Sequence, residues 1–168
     1  PAGVDGEGVL PPGMVGARES GFPLIAVLLR PEEIRYGVIE HALVFGSDGR
    51  NGWENSVYPA STGCDHNAGP DGDHVLPMGA RVQLRPDFDI SILTPSAQII
   101  ATALIDYGMY LGDENDAESI GIYMQTVGDE NNDGVVEYWD ELWDGLWDDD
   151  DMDSLGSIKA SDLRVIEL

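Results

Sequence analysis

Oxygen-bearing side chains recur at alternate places in the segment 129–140, and their spacing describes a loop closed around a hard cation. Asp129, Asn131 and Asp133 fill the first, third and fifth places, and Gly134 follows where such a loop must turn sharply. Val135 would present its backbone carbonyl at the seventh place, with Glu137 and Asp140 at the ninth and twelfth. Ca2+ takes six to eight oxygens, and this arrangement supplies them from one short stretch. Asp140 stands where a longer carboxylate usually binds through both oxygens, and Glu141 can take over if the following helix shifts by one residue.

The remaining chemistry is thinner. His41 shares an alternating face with Ile39, Leu43 and Phe45, where an imidazole can serve as base or ligand if a carboxylate orients it. Arg81 on a following strand is placed to recognise a carboxylate, and Tyr107 to donate a proton, so these three form the candidate catalytic set. A histidine in that position is more often a hydrogen-bonded packing residue. Cys64, Asp65 and His66 with His74 form a soft-ligand cluster, yet their spacing matches no strong zinc or copper pattern and a fourth ligand is missing. Glu32, Glu33, Glu40, Asp87 and Asp89 could be paired as glycoside-cleaving acids. With 32 acids in the chain, some pair is always at hand. Trp139, Trp143 and Trp147 recur every four residues and, with Leu142 and Leu146, read first as a buried helical stripe and second as a ligand-facing ridge.

The 168 residues carry 32 acidic and 8 basic side chains, a net charge of −24. Residues 1–100 hold 13 acidic and 6 basic groups, and 101–168 hold 19 and 2, so the excess gathers around the cation loop. Such a field repels phosphate backbones and anionic membrane surfaces, which excludes nucleic acid as a partner. It also requires screening by salt or neutralisation by bound cations, as a saline, marine or calcium-rich extracellular setting provides. One cysteine rules out an intrachain disulfide, and no apolar run is long enough for a transmembrane segment. The opening Pro1-Ala2-Gly3 suggests a mature or processed product, or a piece of something longer.

The elements that must position these residues follow from local patterning. Residues 1–21 are rich in Gly and Pro and read as an extended arm, leaving 22–168 as one domain. Pro31 starts a short helix with acids in its first turn and Gly37 as its stop. Alternation predicts strands over 38–45 and 81–85, a hairpin of 109–111 with 120–127, and a closing strand over 162–168 with Leu163 and Val165 buried. Thr94 and Pro95 open the strongest helix, which Gly108 ends, with Ile99, Ile100, Ala103, Leu104 and Tyr107 on one face. A helix-like stretch over 136–143 precedes the acidic run 148–153, which reads as solvated. The residues 46–79 are long for a loop. Many short strands, one well-formed helix and long loops imply an α+β fold, mainly an antiparallel β-sandwich of jelly-roll type.

Two resemblances attach to these residues. The segment 129–140 resembles EF-hand and dockerin-type loops over its twelve residues. GFPLIAVLLRPEEIRYGVIEHALVF (21–45), LPMGARVQL (76–84), FDIS (88–91), YGMYLGDEN (107–115) and IKASDLRVIEL (158–168) are together similar to a domain of secreted, multi-modular bacterial proteins that has no settled activity. The resemblance implies company with glycan-handling or adhesive modules, and additional strands upstream. In that pattern a histidine stands where Thr62 closes Pro59-Ala60-Ser61-Thr62, so a histidine pair with His41 would be incomplete here. The cation loop is an insertion relative to the pattern. The expectation is a secreted, calcium-binding, non-catalytic module for glycan binding, adhesion or extracellular assembly, its sheet completed by strands from a partner or another copy. The alternatives are a polysaccharide-acting enzyme using His41, and a self-assembling subunit of an extracellular fibre or surface layer.

Overall fold

The computed structural model describes residues 20–21, 23–47, 56–63, 76–114, 120–125 and 142–166. The cation loop, Cys64, His66, His74 and Trp139 lie outside them.

Among the described residues, five short strands form one mixed sheet: β1 (Leu43–Gly46), β2 (Arg81–Leu84), β3 (Met109–Asp113), β4 (Gly121–Ile122) and β5 (Leu163–Val165), in the order β4-β1-β3-β2-β5. β1 and β3 run parallel, with Leu43 opposite Met109, while the other three pairings are antiparallel. The α-helices among the described residues are α1 (Pro31–Tyr36), α2 (Pro95–Asp106) and α3 (Asp149–Gly156). Ala97, Ile100, Ala101, Ala103 and Leu104 of α2 are buried in one core with Leu43 and Phe45 of β1, Val82 and Leu84 of β2, Met109 and Leu111 of β3, and Trp143 and Trp147. The small alanines let the helix backbone lie close against the strands. Ile99 and Tyr107, expected on the buried face, are only partly buried.

The expected antiparallel sandwich is corrected to this single sheet. Two differences in strand pairing account for the change. Residues 38–42 do not continue the strand into β1: Gly37 ends α1 in a left-handed conformation, Val38 is exposed, and the chain bends at His41 before pairing starts at Leu43. The expected hairpin does not close either, because β4 pairs with β1 rather than β3. β3 therefore sits inside the sheet between β1 and β2 and is covered on both faces, the environment in which periodicity names a strand but not its neighbours. The closing strand is shorter than expected, and Val165 is 57% exposed rather than buried. The acidic run 148–153 is exposed apart from buried Asp151, and it opens a helix: Asp148 caps α3 by accepting from the Asp151 N–H at 3.0 Å.

Two glycines set the geometry of the central strands. Gly108, between α2 and β3, has φ +73°, and a Cβ there would collide with the Val82 carbonyl oxygen. Gly79, before β2, has φ +86°, and a Cβ there would come closer still to the Val57 carbonyl oxygen, in a segment where the Tyr58–Pro59 bond is cis.

Candidate functional site

α1 and the turn before β1 place His41 against Glu33. The His41 Nε2 lies 2.7 Å from Glu33 Oε1, and its Nδ1 lies 2.8 Å from the Ala42 carbonyl oxygen. The other Glu33 oxygen accepts from the Arg30 backbone N–H at 2.8 Å, so the same carboxylate satisfies an orphan donor at the start of α1. Arg30 adds a guanidinium contact to Glu33 Oε1 at 3.3 Å and donates through its other terminal nitrogen to the Ile25 carbonyl. The His41 and Glu33 side chains are 21% and 15% exposed. A carbonyl and a carboxylate both accept, so a neutral ring, with its single N–H, donates to one of them and only the imidazolium donates to both. A general base must offer a free lone pair to a reacting proton, and a metal ligand must offer one to an ion. Glu33 is thus the carboxylate that orients the His41 ring, and in this geometry both ring nitrogens lie against neighbours of the same chain and the ring links α1 to the start of β1.

Arg81 is engaged in a comparable way. Its Nε donates to the Tyr107 carbonyl oxygen at 2.7 Å, one terminal nitrogen donates to the same atom, and the guanidinium lies 5.7 Å from the centre of the Tyr110 ring. Tyr107 is the C-terminal cap of α2, so this cation sits at the negative end of the helix dipole. The structure thus joins Arg81 and Tyr107 through a backbone carbonyl rather than through the phenol. His41 reaches neither of them by any hydrogen bond among the described residues. The register puts His41 and Tyr107 at the same end of the parallel pair, each two residues before Leu43 or Met109.

The acids considered for glycoside cleavage separate. Glu33 is committed to His41 and Arg30, while Glu32 and Glu40 are exposed on the surface. Arg85 donates to Asp87 at 3.2 Å and, chiefly through that hydrogen bond, holds its carboxyl below the usual range. Ser91 donates to Asp89 from hydroxyl and backbone, at 2.6 and 3.0 Å, and lowers it likewise. A glycosidic general acid needs the opposite displacement, so neither of these two is tuned for that task.

Other polar partnerships carry no signal in the sequence. Asp151 of α3 is buried and accepts from the Thr94 hydroxyl at 2.5 Å, while the Ser154 hydroxyl accepts from the Thr94 N–H at 2.9 Å. Thr94 is expected to cap α2, and its side chain instead ties α2 to α3. At the other end of the parallel pair, buried Asp113 accepts from the Tyr123 phenol at 2.8 Å. Neither partnership follows a local spacing rule, since the residues meet only through the fold. Trp143 and Trp147 are core residues, and Trp143 donates to the Gln125 carbonyl at 2.9 Å.

Asp129, Asn131, Asp133, Val135, Glu137 and Asp140 lie outside the described residues. No group of three or more His, Cys, Asp or Glu side chains is arranged to hold a metal among those that are described. No helix among them is long and apolar enough to cross a membrane. No family model matches the chain, and no curated protein or solved structure matches it either. Fold and site together define a small, acidic α+β protein built on one mixed sheet.

Proposed function

We propose that this chain is a non-catalytic, calcium-dependent extracellular module, working by adhesion to glycans or by assembly with other polypeptides. The observation that carries the proposal is the oxygen spacing of residues 129–140 in a chain of net charge −24. A divalent ion held there relieves local repulsion and converts ambient calcium into folding free energy. Support for a binding rather than a chemical role comes from His41, whose two ring nitrogens lie against Glu33 and Ala42, and from Arg81, whose Nε and one terminal nitrogen donate to the Tyr107 carbonyl. Calorimetric titration with calcium is the test. Binding of one ion or more, abolished by Asp129→Ala together with Asp133→Ala, is the expected result. Absence of heat in the unaltered protein overturns the calcium reading, and release of product from a polysaccharide overturns the non-catalytic one.

A further inference from the structure

β4 forms one margin of the sheet. Just past it, the Leu29 N–H donates to the Tyr123 carbonyl at 3.1 Å and the Gln125 N–H donates to the Leu29 carbonyl at 2.8 Å, so residue 29 prolongs the pairing beyond the end of β4. β5 forms the other margin, with β2 as its neighbour. The Ile166 N–H donates to the Arg81 carbonyl and the Arg85 N–H to the Asp162 carbonyl, both at 2.9 Å. In an antiparallel ladder the bonded pairs alternate, so residues 162, 164 and 166 face β2 while Leu163 and Val165 turn their backbone groups outward. The Leu163 N–H is taken by the Ala160 carbonyl of the preceding turn. The Leu163 carbonyl and both Val165 backbone groups find no partner among the described residues.

The side chains of this margin are unfinished too. Val165 lies opposite Val82, which is buried in the core at 3% exposure, yet Val165 itself is 57% exposed. Arg164 points to the other face, is exposed, and donates to Gln83 Oε1 at 2.8 Å. No carboxylate pairs with it among the described residues, in a chain holding 32 acids. Arg164 and Lys159 are also the two basic residues that 101–168 contain.

From these groups we infer that β5 is a docking margin for an extended segment of another polypeptide, one carrying an acidic residue between two apolar ones. This rests on the assembly reading above and names its partner. Antiparallel addition bonds the incoming backbone to Val165, sets its apolar residues beside Leu163 and Val165, and brings its carboxylate opposite Arg164. Arg164, exposed and without a carboxylate partner among the described residues, favours an acidic foreign segment over a second β5 in the register centred on it. A two-fold pairing of β5 with itself centred on Arg164 would oppose two arginines, which is unfavourable in a sheet. Flat, unpaired margins are otherwise shielded by short strands, charge or proline, and among the described residues the shortness and one arginine serve here.

The test is backbone amide NMR with two synthetic peptides, Thr-Val-Glu-Val-Thr and Thr-Val-Lys-Val-Thr, titrated to millimolar concentration with and without calcium. Expected are shifts at Val165, Arg164 and the β2 amides with the glutamate peptide, and binding weaker by about tenfold for Val165→Pro, which removes the outward N–H. That N–H makes no bond to β2, so the proline leaves the β2 ladder intact. Should it still unfold the protein, Arg164→Glu must invert the preference between the two peptides. Unmoved β5 amides with both peptides overturn the proposal, and equal response to both overturns the charge selection. Concentration-dependent pairing of β5 with itself overturns the foreign partner. Each of these is independent of the calcium titration, so failure of one reading is separable from failure of the other.

Discussion

Glu33 shows how one carboxylate can settle three demands at once. It satisfies an N-terminal donor of α1, receives the Arg30 guanidinium and fixes the His41 ring. Hydrogen bonds involving charged partners contribute about 1.5–3 kcal/mol when the groups are largely withdrawn from water. His41→Ala is therefore expected to cost about 1–3 kcal/mol of stability in denaturant unfolding. Glu33→Gln should couple to it, so that the double variant loses less than the two single losses added. Strict additivity would mean that the two side chains do not act together. Asp87 and Asp89 give a prediction of opposite character. Both carboxyls are held below their usual value of about 3.9, so each adds stability that is complete above that pH and is lost as pH falls through the lower folded value. Asp87→Asn should flatten the acid limb of the stability profile below about pH 4 and leave the profile at neutrality unchanged in slope. Both groups lie at the surface, so high salt should shrink the difference.

Among the elements, α2 and α3 are held by a clasp that neither helix announces. Asp151 and Ser154 of α3 hold Thr94, the residue at which α2 begins. Removing a buried acceptor leaves the Thr94 hydroxyl unsatisfied, so Asp151→Ala should cost about 1–3 kcal/mol and raise amide exchange in α3 before it does so in the central strands. Uniform exchange across both regions would dissolve the idea of a separate clasp. Gly108 supplies the sharper case. Alanine there meets the Val82 carbonyl and must hold a left-handed φ, so Gly108→Ala is expected to destabilise by about 2 kcal/mol or more. How much of the fold is legible in the sequence follows the same division between local and non-local causes. α1 and α2 are legible because Pro31, Pro95, Gly37 and Gly108 mark their ends by backbone chemistry alone. β2 is legible from alternation. The neighbours of β1 and β3 are not, since an apolar strand buried on both faces carries no mark of who lies beside it. His41 stands out in the sequence, but its partner Glu33 is one of many acids until the bend at 41 brings the two together. A strand drawn through 38–42 conceals that bend.

On the scale of the whole molecule, charge outweighs every other feature of the composition, and it is unevenly spread. Nineteen acids lie in 101–168 against two bases, while the core that opposes unfolding draws on residues from 29 to 147. Self-repulsion of like charges falls as ionic strength rises, so sodium chloride alone should raise the thermal midpoint gradually. A specific ion acts differently. Calcium bound to the native chain stabilises it by mass action, by about 2.7 kcal/mol when free calcium is a hundred times the dissociation constant. The two effects separate in one experiment: thermal unfolding at fixed high salt, with calcium or with a chelator. A site formed by Asp129, Asn131, Asp133, Val135, Glu137 and Asp140 requires the midpoint to rise with calcium even when salt has already screened the surface. It further requires that Asp129→Ala with Asp133→Ala abolish that rise while leaving the salt dependence in place. If calcium and an equal ionic strength of sodium move the midpoint alike, the acids form a diffuse atmosphere rather than a site, and calcium dependence drops out of the proposed function.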